Sequence, residues 1–256
     1  MSNNNHSINE FDFQLICEYF SSTDRQGPGN ESSTLKAFSY LKDLPNHPKI
    51  ADLGCGTGSS SLVLAKHTDA HITAIDLFPL FIEKLNIRAL QAHVIEKIHA
   101  MMGDMGELPF EKASFDVIWS EGAIYNIGFQ RGMNEWYPFI KTGGYIAVTE
   151  ATWLTEHRPK EIEDFWTDAY PEIDTLPNKV KQMEEAGYRN IITFVLPEEC
   201  WTKEYYIPQQ KAQEIFLEKY PDSPTAQALV SNQRREAELY QKNKEYYGYV
   251  FFIGQK

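Results

Sequence analysis

Up to residue 48 the apolar positions of this chain recur at helical spacing. A polar start, MSNNNHSINE, reads as a mobile tail, and Phe13, Ile16, Cys17 and Phe20 then predict a short amphipathic helix. The loop RQGPGNES, with Gly27, Pro28 and Gly29, leads into a second helical pattern, TLKAFSYLKDL. There Leu35, Phe38, Leu41 and Leu44 fall about three residues apart, and Pro45 and Pro48 close the run. From residue 49 the rhythm changes to short β-branched apolar runs alternating with longer amphipathic stretches, which is the pattern of βαβ units around a parallel sheet. The predicted strands are 49–53, 71–77, 98–104, 115–121 and 144–151. The clearest helix is 80–96, and Gly143 and Gly144 mark the stop of the helix before the fifth strand. A sixth run, 188–197, follows a helix ending at Gly187, and a seventh, 248–254, lies near the last residue. The segment between them, 198–247, reads as helices with Ala226, Val230, Ala237 and Tyr240 on one face.

Length and composition narrow the partners. The 256 residues suit one large α/β domain, and 42% hydrophobic against 23% charged side chains can build a core. A net charge of -12 repels phosphate backbones and anionic membranes, so neither nucleic acid nor a membrane is an expected partner. Cys17, Cys55 and Cys200 are odd in number and widely spaced, which fits neither a disulfide framework nor a paired-cysteine metal site. With no spanning apolar run and no signal-peptide pattern, a reducing, cytoplasmic location is expected.

The candidate chemistry begins where the first predicted strand ends, in Asp52-Leu53-Gly54-Cys55-Gly56-Thr57-Gly58. Glycines at a strand-to-helix turn let a ligand lie against bare backbone, beside the free N–H groups of the next helix. The dinucleotide fingerprint needs a glycine where Ser59 stands, and a P-loop needs a Gly-Lys pair that is absent. A carboxylate at Asp52 would repel a pyrophosphate and favour a ligand carrying positive charge, such as a sulfonium with an α-ammonium.

These residues resemble the class I S-adenosylmethionine-dependent methyltransferases, in their small-molecule branch. DLGCGTG and Asp76 are similar to the first two motifs of that family, GDMGELPF (103–110) to the third, FDVIWSEGAIYNIG (115–128) to the fourth, and IKTGGYIAV (140–148) to the turn into the fifth strand. The resemblance covers about residues 49–151. It implies a Rossmann-like α/β fold: a seven-stranded mixed sheet, mostly parallel with an antiparallel last strand, helices on both faces and helical insertions. It also implies S-adenosylmethionine as cofactor. Asp76 would accept from the ribose hydroxyls, with Leu77 and Phe78 along the adenine. Asp104 would accept from the adenine amino group, with Gly103 and Met105 beside the ring. Glu121 and Gly122 would line the methionine portion, close to Asp52, Gly54, Cys55 and Gly56. Arg25, or N–H groups around Gly27 and Gly29, would meet the methionine carboxylate. The expected organisation is one domain over 1–256: an N-terminal helical segment 1–48, a core sheet in 49–197 and 248–256, and a helical insertion 198–247. Residues 1–48, 151–185 and 198–247 would cover the carboxyl edge of the sheet.

Other residues receive plainer readings. Cys55 reads as a small side chain packed beside glycines, His157 as a surface histidine, and Tyr125, Tyr205 and Tyr206 as packing residues. No catalytic residue and no metal ligand is assigned. The expected reaction is methyl transfer to a small-molecule acceptor. A non-catalytic cofactor-binding protein and a protein methyltransferase stay open as alternatives, and the oligomeric state is open too.

Overall fold

A computed structural model describes residues 13–256; the polar start lies outside them. The sheet follows from strands too apolar to face water on either side. β4 (Phe115–Glu121) is buried along all but its last residue, as a central parallel strand must be. Parallel neighbours flank it: β1 (Lys49–Leu53), then β2 (His71–Asp76) and β3 (Ile98–Met102) on one side, and β5 (Ile140–Trp153) on the other. Beyond β5 comes β8 (Tyr247–Gln255), antiparallel to both β5 and the outermost β7 (Arg189–Val195). A two-residue strand, β6 (Asp174–Thr175), pairs with the far end of β5. The fold is therefore the expected mixed sheet with an antiparallel last strand, and the extra short strand is an addition to it.

Strand alternation divides the core. Ile50, Trp119, Phe251 and Ile253 point to one face, where α3 (Ser59–His67) and α4 (Pro79–Gln91) pack. Ala51, Ile118, Val250 and Phe252 point to the other, against α5 (Phe129–Trp136) and α7 (Leu176–Glu185). α6 (Lys160–Ala169) lies between β5 and β6 in the chain. The insertion is helical as expected, with α8 (Glu199–Trp201), a π-helical turn Thr202–Tyr206, α9 (Ile207–Lys219) and α10 (Pro224–Asn243). Ala226, Val230 and Tyr240 are buried on α10, the face the spacing indicates. The N-terminal helix α1 (Phe13–Ser21) joins this insertion: Tyr19 packs with Phe216 and Val230, and its hydroxyl donates to Gln209 at 2.8 Å.

Where strand ends shift from expectation they do so by one to four residues, and three helix boundaries differ for local reasons. α2 spans Glu31–Ser39 and not 34–44, because Asn30 caps it by accepting from the Ser33 N–H and Tyr40 closes it. The helix expected over 80–96 stops at Gln91, and His93 takes a positive φ of 57° before a 3₁₀ turn at Ile95–Lys97. Gly143 and Gly144 do not end a helix. α5 has already stopped at Trp136, and the two glycines lie inside β5, where the pairing with β4 shifts register between Phe115 and Val117. Gly143 has φ +80°, so the irregularity needs a residue without a side chain.

Candidate functional site

The glycine turn after β1 is bound to the neighbouring strand by its own backbone. Gly54 and Cys55 donate N–H bonds to the Ile75 carbonyl at 2.9 and 3.0 Å, and Gly56 donates to the Asp76 carboxylate at 2.8 Å. Gly54 and Gly56 both have positive φ, and a Cβ on Gly54 would lie 2.3 Å from that of Ala123. Only glycine lets the turn close against the segment that follows β4.

Three acidic residues stand at the tips of adjacent strands. Asp52 is fully buried; its Oδ2 accepts from Ser60 and Ser61 at 2.7 and 2.6 Å, while its Oδ1 has no hydrogen-bond partner among the described residues. Burial pushes its carboxyl up to about 6. The two serines oppose that shift, and the Glu121 and Asp76 charges add to it. Asp76 spends one oxygen on Gly56 and the other on the Phe78 N–H at 3.1 Å. Burial raises its pKa, and those backbone donors pull the other way. Asp104 is exposed and accepts from the Gly106 N–H at 2.7 Å. Between the second and third acids, Gly103 donates to the Asp76 carbonyl, and Leu77 leaves 53% of its surface uncovered, an apolar side chain at a strand tip. The Met105 side chain reaches the glycine turn, ending 3.1 Å from where a Gly54 Cβ would stand.

A strap from the N-terminal segment lies across this edge and brings Arg25 and Gly29 to Glu121. Arg25 meets Glu121 at 3.3 Å with both side chains largely buried, and Glu121 also accepts from Thr34 at 2.7 Å and the Trp119 indole at 3.0 Å. Gly122 donates to Thr149, and the Gly29 N–H reaches the Cys200 carbonyl. Every predicted site residue thus falls along one edge.

The sequence reading missed several residues there. Gln26 accepts from the Thr57 N–H at 2.9 Å and donates to the Thr57 hydroxyl, so its amide fills the turn beside Gly56. Arg88, on α4, donates to the Thr57 carbonyl at 2.8 Å. Gln26 sits one residue after Arg25 in a loop that already drew attention, but nothing in its spacing marks it. Tyr249, from the last strand, touches Gly122: a Cβ there would be 3.4 Å from its ring.

The plainer readings can be located too. Cys55 is buried, and burial, with the Asp52 and Asp76 charges, raises its thiol well above the ordinary range, as a small packed side chain beside glycines would have it. All three cysteines are free and buried. His157 is exposed after β5. Two surface depressions, beside Arg131 and Glu172 and beside Arg234 and Glu238, are lined by none of the predicted residues. Among the described residues, no helix is long and apolar enough to cross a membrane.

Comparison with known proteins concentrates on the same region. Residues 50–144 match the family model described as a methyltransferase domain. A sarcosine/dimethylglycine N-methyltransferase of Aphanothece halophytica is 32% identical over 111 residues, 43% of this chain and 40% of that protein. A malonyl-[acyl-carrier protein] O-methyltransferase of Herminiimonas arsenicoxydans is 36% identical over 104 residues, 40% and 37% of the two chains. The chain therefore spans less than half the length of these curated relatives. In three dimensions it is similar to a SAM-dependent methyltransferase from Geobacter sulfurreducens in complex with S-adenosyl-L-homocysteine. The TM-score is 0.81 and the match covers 95% of this chain and 98% of that one, at 19% identity, a level that speaks for the fold alone.

Proposed function

We propose, from the premise that this chain carries the methyltransferase domain over residues 50–144, that it binds S-adenosylmethionine and transfers the methyl group to a small-molecule acceptor. The observation that carries this reading is the unpartnered, buried Oδ1 of Asp52 beside a glycine turn, in line with Asp76 and Asp104 on the next strand tips. A buried acceptor with no donor costs about 1–3 kcal/mol, and an α-ammonium would relieve it.

The remaining residues fit the other parts of the same molecule. Asp76 keeps a lone pair on each oxygen for two ribose hydroxyls after satisfying Gly56 and Phe78. Leu77 offers an apolar face to the adenine, and Asp104 an acceptor for its amino group. Arg25, held by Glu121, has further N–H donors for the methionine carboxylate. When bound, S-adenosylmethionine supplies an activated methyl group whose transfer discharges a sulfonium. The protein's share is then to align the acceptor, which is worth effective molarities of about 10⁵ M or more. Gly122 and Tyr249 form the wall on the acceptor side.

Calorimetry on the purified chain tests the cofactor reading. S-adenosylmethionine and S-adenosylhomocysteine are expected to bind, and Asp76→Ala to weaken both roughly 100-fold, since two hydrogen bonds to a charged acceptor are lost. No binding to the wild-type chain, or an unchanged affinity in Asp76→Ala, would remove the reading. Incubation of the loaded protein with fractionated metabolites, followed for S-adenosylhomocysteine release, separates an enzyme from a cofactor-binding protein without activity.

A further inference from the structure

Two carboxylates, Glu150 and Glu236, are handled differently. Glu150, on β5, is fully buried but neutralised: Lys179 donates to it at 2.9 Å and the Tyr170 hydroxyl also donates to it. Glu236, on α10, has no ion pair among the described residues, and the only hydrogen bond recorded to it comes from the Tyr206 hydroxyl at 3.1 Å. Its charge is felt by phenols from four parts of the chain: Tyr19 of α1, Tyr125 of the turn after β4, Tyr205 and Tyr206 of the π-helical turn, and Tyr247 and Tyr249 of β8.

The group is linked to the proposed cofactor edge by Tyr249. Tyr249 is the residue whose ring touches Gly122, and it feels the charges of both Tyr125 and Glu236. Tyr125 keeps 43% of its surface accessible, so solvent, and with it a small molecule, reaches this group. An anionic group that has no counter-ion among the described residues and lies among tyrosines leaves one charge type unsupplied.

Resting on the methyltransferase reading above, we infer that Glu236 and the tyrosines around it form the acceptor site, that the acceptor is a small cationic amine, and that Glu236 takes its proton. The ammonium N–H passes its proton to the Glu236 carboxylate, and the freed nitrogen lone pair forms a bond to the methyl carbon. The S–C bond breaks with its electron pair left on sulfur, giving S-adenosylhomocysteine and an N-methylammonium product. No oxidant or reductant is required.

Burial pushes the Glu236 carboxyl up to about 7, with the Tyr206 hydrogen bond opposing the shift. The six phenols all titrate well above neutrality. Arg234 and Arg235, its neighbours on α10, are engaged by Gln213 and by the Phe165 ring. Glu236 therefore changes charge near neutrality, and the Glu236→Gln variant separates its titration from those of Asp52 and Glu150, whose carboxyls burial also raises.

The test is calorimetry on protein saturated with S-adenosylhomocysteine, using benzylamine, its neutral counterpart benzyl alcohol, and benzoate. Benzylamine is expected to bind roughly tenfold more tightly than the alcohol, with benzoate weakest. Its affinity should rise with pH between about 6 and 8 as Glu236 ionises. Glu236→Gln should erase the preference and the pH dependence while S-adenosylhomocysteine affinity stays as in wild type, which also reports that the variant is folded. Equal binding of amine and alcohol to the wild-type protein, or a preference that survives in Glu236→Gln, overturns the assignment with the methyltransferase reading intact. Failure of S-adenosylhomocysteine to bind the wild-type protein overturns both.

Discussion

The proposed cofactor edge and the proposed cover above it are assembled by opposite means. At the edge, most of the work falls to main chain: Gly54, Cys55, Gly56, Phe78 and Gly103 all donate backbone N–H groups within one short stretch of sheet. In the cover, side chains from distant segments meet, as when Tyr19 joins Gln209 and Gln213, or Trp201 stacks on Tyr240 with ring centroids 4.5 Å apart. Backbone geometry constrains residue type tightly and locally, whereas a packed aromatic shell accepts many solutions of similar volume. The match to the methyltransferase domain stops at residue 144, short of the helical insertion, which is what this difference would produce.

The sharpest way to break the contrast is to disturb the cover alone. Lys179→Met leaves Glu150 buried without its cation and is expected to cost about 3–5 kcal/mol, while the double variant with Glu150→Gln recovers most of it. Thermal unfolding of both variants measures this. Neither side chain is hydrogen-bonded to Asp52, Asp76 or Asp104, so S-adenosylhomocysteine affinity of whatever remains folded should be unchanged; a large loss would mean that the two regions are energetically one.

A smaller effect at the edge has the opposite sign. The Asp52 carboxyl sits near 6 when folded, against an ordinary 3.8, so the folded state holds its proton more tightly than the unfolded chain does. The stability this contributes is present below about pH 4 and is lost as pH rises through 6. Above that pH the ionised group costs on the order of 3 kcal/mol. Asp52→Asn should therefore raise the melting temperature at pH 8, do little at pH 4, and weaken S-adenosylmethionine. Melting curves at the two pH values, paired with calorimetry, would show stability given up for binding. A variant less stable at pH 8 would contradict the account of Asp52.

The smallest effect tests the boundary between the regions. Gln26→Ala frees the Thr57 N–H from its intramolecular acceptor and loosens the strap; removal of one such hydrogen bond is worth about 1 kcal/mol. S-adenosylhomocysteine affinity should change by only a few-fold, with faster amide exchange confined to the strap and the glycine turn. Exchange that spreads into α9 and α10 would show that the strap holds the cover as well.

How much could be read in advance follows the same division. The placement of Asp52, Asp76 and Asp104 at strand tips was legible because apolar runs mark the strands one by one, and glycines among them mark where backbone must turn left-handed. Gly143 and Gly144 misled, since the same two glycines serve a helix stop or a strand irregularity and only the pairing with β4 decides between them. Tyr125, Tyr205 and Tyr206 read as packing residues singly. Their significance comes from standing around Glu236, a residue that looks like one more solvated charge on an amphipathic helix.

From sequence alone came the alternation of strands and helices, the glycine turn and the acids beside it, all of them features set by neighbours in the chain. Tertiary structure decided which carboxylates are paired, which are alone, and which phenols surround them. Those properties depend on desolvation and on contacts between residues far apart in the chain, such as Tyr19 and Gln209, 190 positions apart, and no local pattern encodes a distance of that kind.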